Sequence, residues 1–147
     1  MAYDQRIPRG GTASARAAPR LSAYAPGAAH TGRDKTRLDA AVEDLDSGDR
    51  VLAMRGDTAS LPDLDALTAA IRSRYGRLDV IFANAGIASF QPNGEITEAD
   101  FDHMVDINFK GVFFTLQKAL PLLSNHAAIV INASWTLRRG TPARHVS

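Results

Sequence analysis

The 147-residue chain has no cysteine, which excludes a disulfide framework, a thiolate metal site and a thiol nucleophile. No apolar run approaches the ~20 residues needed to cross a bilayer, so no membrane span and no membrane partner are expected. Histidine is scarce: His30, His103, His126 and His145 show no metal-ligand spacing. They are read as ordinary surface or loop residues, and no metal is expected. Acidic residues are missing from both ends. Only Asp4 precedes Asp34 and none follows Asp106, so the net charge of +1 conceals basic ends around a mixed middle. Arg138, Arg139 and Arg144 form a small cluster with no interleaved aromatic other than Trp135. That is too little for a nucleic-acid footprint, and no nucleic-acid partner is expected.

What is present is one domain's worth of chain, 45% hydrophobic and long enough to bury a core. Residues 1–30 are rich in Ala, Arg, Pro and Gly and hold no period of 2 or 3.6, so mostly irregular structure is expected there. A transit peptide has a similar composition. Without a clear targeting signal, the cytoplasm is the default location.

From Asp34 the texture changes. Leu38, Ala41, Val42 and Leu45 mark one helical face, ended by Gly48. "RVLAM" (50–54) is a short strand. Ser60 to Asp63 resembles a capping box with Pro62 in the first turn, and Leu64, Leu67 and Ile71 form the stripe of a helix stopped by Gly76. "DVIFAN" (79–84) is apolar on both faces, as a covered parallel strand should be. Thr97 and Asp100 cap a long helix, 98–123, frayed by Pro121. "AAIVINAS" (127–134) is a further strand. Strands alternating with helices at this spacing predict βαβ units in an α/β domain with a parallel sheet.

Ligands of open parallel sheets sit beyond the carboxyl ends of the strands. Three strands end there in small or polar residues: Gly56-Asp57, Asn84-Ala85-Gly86 and Asn132-Ala133-Ser134. Any one of these is plain loop chemistry, since Asn, Asp and Gly end strands everywhere. Three together suggest a ligand edge, where glycine admits a flat ligand and an amide fixes the loop.

Residues 31–146 resemble the middle of a short-chain dehydrogenase/reductase, an NAD(P)-dependent Rossmann-type family. "ANAG" (83–86) is similar to its NNAG motif, "GDTA" (56–59) to the end of its third strand, and "INFKGVFF" (107–114) to the Asn-x-x-Gly stretch of its long helix. "IVINAS" (129–134) is similar to its fifth strand, and "TGRDKTRLDAAV" (31–42) to the end of its second strand with the following helix. The resemblance implies a catalytic Ser134, an active-site Asn108 and an adenine contact at Asp57, with Asn84, Ala85 and Gly86 beside the cofactor. Chemistry agrees. A strand-end serine can donate to a carbonyl oxygen as charge develops on it. Asn108 and Gly111 are both poor helix formers, and a helix giving up propensity twice in four residues asks for a reason. Arg33, just past the second strand, suits the 2′-phosphate of NADP better than the bare ribose of NAD.

Three departures stand beside these matches. "RGGTASARAAPR" (9–20) replaces a TGxxxGxG phosphate loop, and Pro8 argues against a buried strand before it. Counting from Ser134, the tyrosine of Tyr-x-x-x-Lys falls on Ser147, and a serine hydroxyl cannot replace a Lys-lowered phenol. The later strands and substrate loop are not in the sequence. The expected organisation is therefore an irregular segment (1–30), a partial, truncated Rossmann-like domain (31–134) and a basic tail (135–147). A sheet without its first strand leaves unpaired edges and uncovered helix faces, so marginal stability and aggregation are expected. The implied activity is hydride transfer between NADP or NAD and a small alcohol or carbonyl substrate, with this chain inactive as it stands. The alternatives are a non-catalytic nucleotide-binding relative, pairing with a second subunit through helix 98–123, and the product of a shifted or truncated reading frame. The coding DNA tests the last: the glycine loop and Tyr-x-x-x-Lys should appear in another frame.

Overall fold

Each short apolar run in the middle of the chain forms a strand and each stripe of period 3.6 a helix. The computed structural model describes residues 27–43, 48–89 and 91–133. Leu45, the Gly10–Gly11 segment, Ser134 and the basic tail lie outside the described residues. The order is β1 (Ala28–Gly32), α1 (Lys35–Glu43), a tight turn of helix at Gly48–Arg50, β2 (Val51–Arg55), α2 (Leu61–Tyr75) and β3 (Leu78–Ala83). There follow a turn at Asn93–Glu95, α3 (Glu98–Val105), a widened turn at Asp106–Lys110, α4 (Gly111–Ala119), a tight turn at Leu120–Leu122 and β4 (Leu123–Ile131). The expected alternation is present and the strands pair in parallel, β1 with β2 and β3 with β4.

α2 holds the two pairs together. Its Leu67 and Ile71 pack with Ala29 of β1 and Leu122 ahead of β4, and Leu52, Met54, Tyr75 and Leu78 close around them. Burying each such side chain contributes roughly 1.5–3 kcal/mol. Ser60 caps the helix by accepting from the Asp63 N–H at 3.3 Å, and Gly76, at φ 74°, ends it in a conformation that side chains resist. The Tyr75 hydroxyl lies 2.9 Å from the carbonyl oxygens of both Ala28 and Arg50, pinning the helix end to the starts of β1 and β2. Lys118 of α4 pairs with Asp65 of α2.

Four features differ from the sequence expectation. β1 begins at Ala28, so the last residues of the segment expected to be irregular are extended. Alanine and glycine are weak strand formers, and pairing with β2 supplies the order. The long helix stops at Ala119, where Pro121 forces a tight turn, and β4 starts at Leu123 rather than 127. Asp63 does not close a capping box; its carboxylate accepts instead from the Asp57 N–H, at 2.8 Å. At Thr97 and Asp100 the box is complete. His30 is no surface residue: β1 is covered on both faces and leaves it 2% exposed. Burial holds its pKa down from 6.5 to about 4.

Apolar surface remains open among the described residues. Val80 and Ile129 to Ile131 are exposed on β3 and β4. Phe101, Val105, Phe109 and Phe113, spaced by four along α3, the widened turn and α4, are also exposed. Among the described residues, no helix is long and apolar enough to cross a membrane.

Candidate functional site

The strand ends carry two groups of polar residues. The first lies past β1 and β2. Their register sets Gly32 beside Arg55, and the Gly56 N–H continues the ladder to the Gly32 carbonyl at 3.1 Å. Arg33 and Asp57 therefore follow directly, and the Arg33 guanidinium stands 3.8 Å from an Asp57 carboxylate oxygen. Asp57 is firmly seated. Its other oxygen accepts from the Ala59 N–H at 2.9 Å, its carbonyl accepts from the Ser60 N–H at 3.0 Å, and its own N–H donates to Asp63. Arg55 turns back so that its Nε donates to the Arg33 carbonyl at 3.0 Å.

The second group lies past β3 and β4, where the ladder runs on through the Asn132 N–H to the Ala83 carbonyl at 2.9 Å. This register brings the next two amides together. The Asn132 Nδ2 donates to the Oδ1 of buried Asn84 at 2.7 Å. Ala85 and Gly86 continue into a loop that Asn108 holds from the side. Its Oδ1 accepts from the Ile87 N–H at 2.8 Å and its Nδ2 donates to the Ile87 carbonyl at 2.9 Å. An amide thus satisfies both backbone groups of one loop residue, which no aliphatic side chain can do. A Cβ on Gly86 would stand 3.2 Å from the Asn108 Oδ1, so the loop can close on the amide because that Cβ is absent.

Asn108 reaches Ile87 from a widened turn, in which the Gly111 N–H bonds back five residues to the Asp106 carbonyl. Such bulges mark sites where a helix is bent for a purpose. Three residues on, buried Gly111 serves the first group: a Cβ there would lie 3.0 Å from the carbonyl oxygen of Thr58, the neighbour of Asp57. The two weak helix formers accordingly have one explanation. A single stretch of helix braces both strand-end loops, one by a paired amide and the other by close backbone approach.

Of the residues singled out from sequence, Arg33 and Asp57 meet at one end of this edge, and Asn84, Ala85, Gly86 and Asn108 gather at the other. Ser134 lies outside the described residues. Sequence reasoning placed Asn132 at a strand end and Asp63 in a helix cap without their partners Asn84 and Asp57, and it missed Arg55, which holds the Arg33 carbonyl. Replacing Asn108 by alanine is expected to cost about 1–2 kcal/mol, two bonds less the gain in helix propensity. It should also speed exchange of the Ile87 amide at least tenfold, which NMR hydrogen exchange reads directly.

The chain matches the family model described as short chain dehydrogenase over residues 14–143. It is 37% identical to the oxidoreductase asL5 of Sarocladium schorii over 113 residues, which are 76% of this chain and 45% of that protein. It is 29% identical to the hydroxynaphthalene reductase-like protein Arp2 of Metarhizium acridum, over 71% of this chain and 39% of that one. The chain therefore spans less than half the length of these relatives. Among solved structures, a short-chain dehydrogenase/reductase of the glucose/ribitol dehydrogenase type from Brucella melitensis superposes with a TM-score of 0.83 at 31% identity, covering 90% of this chain and 57% of that one. A short chain dehydrogenase from Burkholderia cenocepacia, solved in complex with NADP, gives 0.80 at 26% identity, covering 88% and 54%. The fold is the Rossmann-like α/β fold of these oxidoreductases, and with most of its length inside the family model, the chain belongs to the short-chain dehydrogenase family.

Proposed function

We propose that the braced strand-end edge holds a nicotinamide adenine dinucleotide, NADP in preference to NAD, and that these 147 residues do so without turning over a substrate. The observation that carries this is the helix 98–119, which spends Asn108 and Gly111 on the two loops flanking a dinucleotide's path. The donor set fits the adenosine half. Asp57, locked by three backbone bonds, offers a carboxylate oxygen toward an adenine amino group, and Arg33 offers a cation for a 2′-phosphate. When bound, the nicotinamide supplies the hydride exchanged with an alcohol or carbonyl substrate. Ser134 is the proposed donor to the substrate oxygen and Asn108 the residue that sets the loop beneath the nicotinamide. None of the three tyrosines, Tyr3, Tyr24 and Tyr75, is followed four residues later by lysine.

Calorimetric titration of the folded chain with NADPH and NADH tests the proposal. Saturable binding with NADPH tighter is expected, and no binding of either by a folded chain would overturn it. A second copy packing on the Phe101–Val105–Phe109–Phe113 face is the proposed oligomer contact, because four apolar side chains at that spacing form one open strip. Sedimentation velocity should then show a dimer that Phe109→Glu dissolves.

A further inference from the structure

We infer that Asn93 is a site of spontaneous modification, where the Gly94 backbone nitrogen closes on the side-chain amide and converts the asparagine to aspartate and isoaspartate. Of the asparagines Asn84, Asn93, Asn108, Asn125 and Asn132, only Asn93 is followed by glycine. A residue without a Cβ leaves its own nitrogen open to an approaching side chain. The fold keeps that opening. Asn93 and Gly94 lie exposed in the turn Asn93–Glu95, and nothing stands within 4 Å of a Cβ built on Gly94. Among the described residues, neither the Asn93 side chain nor the Gly94 N–H makes a hydrogen bond. The side-chain amides of Asn84, Asn108 and Asn132, by contrast, are all engaged.

Two backbone bonds close the turn. The Glu95 N–H donates to the Pro92 carbonyl at 2.9 Å, and the Ile96 N–H to the Asn93 carbonyl at 3.4 Å, which is long for such a bond. The turn buries no residue, so it opens without unpacking a core. The Gly94 nitrogen then bonds to the Asn93 Cγ and sheds its proton, and the Cγ–Nδ2 bond breaks to release ammonia. Water adds to either carbonyl of the resulting five-membered imide. Opening on one side gives aspartate; opening on the other runs the chain through the side-chain carbon and gives isoaspartate. Both products carry a new carboxylate. Isoaspartate also lengthens the backbone inside the ring that the Glu95–Pro92 bond closes, so that bond is lost. The change falls two residues ahead of the Thr97–Asp100 cap, where the chain enters the helix that leads to Asn108 and Gly111.

The test incubates the whole folded chain in neutral and in mildly alkaline buffer and follows each asparagine by peptide mapping and mass spectrometry. The peptide holding Asn93 is expected to gain the mass difference between an amide and a carboxylic acid before any other asparagine does. It should do so faster in the alkaline buffer, because the attacking nitrogen must lose its proton. Gly94→Ala, its folding checked by circular dichroism, should slow the conversion by about tenfold. In the aged wild-type chain, NMR should show faster hydrogen exchange of the Glu95 amide. Conversion in the urea-unfolded chain but not in the folded one would mean that the turn shields Asn93, and overturns the assignment. So does a rate that Gly94→Ala leaves unchanged, or an earlier loss of the Asn125 amide.

Discussion

Replacing Gly111 by alanine is expected to destabilise the chain by about 1–3 kcal/mol, the usual cost of overpacking. Helix propensity alone says the opposite. A glycine within a helix costs up to about 1 kcal/mol against alanine, so removing one should help. The added methyl, however, would stand 3.0 Å from the Thr58 carbonyl oxygen, 3.2 Å from its carbon and 3.1 Å from the Asp106 oxygen. All three are backbone atoms, and no side chain can swing aside to make room. Either α4 retreats from the loop after β2 or the Asp57 loop shifts with it, and each loosens the edge. Gly94 is the control, because nothing lies within 4 Å of a Cβ built there. Urea denaturation of the wild type and both alanine variants checks this. A stabilised Gly111→Ala chain would mean that α4 does not press on the loop.

The second large effect is acid destabilisation through His30. In the unfolded chain its imidazole titrates near 6.5, and burial holds the folded value to about 4. The fold therefore favours the neutral ring. Its contribution is complete above pH 6.5, falls away as pH drops from 6.5 toward 4, and changes no further below that. The full loss is about 3 kcal/mol, from 1.36 kcal/mol per pH unit. Stability from urea titrations across pH 4–7 should fall more steeply for the wild type than for His30→Gln, whose side chain does not ionise. Parallel curves would show that His30 is accessible in the fold and β1 uncovered.

How far the sequence could be read follows from how local each cause is. α2 was legible because its cap, its stripe and its glycine stop lie within one stretch of chain. Asn108 and Gly111 were legible as anomalies, two weak helix formers in a strong helix, though their partners Ile87 and Thr58 were not. The Asn84–Asn132 bond depends on the register of strands joined only through two helices, and no local pattern encodes that register. Asp63 misled for a simpler reason. A serine followed three residues later by a carboxylate looks the same whether that carboxylate returns to its own cap or reaches forward to Asp57. Arg55 lay just past the strand expected at 50–54, and only the pairing with Gly32 places it beside Arg33. His30 escaped because strand β1 is built from Ala-Ala-His-Thr-Gly, whose order comes from pairing and cover rather than propensity.

Amide hydrogen exchange with and without NADPH tests most directly whether the two braced loops form one dinucleotide edge. Slower exchange on binding is expected at both Asp57–Ala59 and Ala85–Ile87, with Asn108→Ala weakening protection at the second. Protection of neither loop, or of one alone, would contradict it.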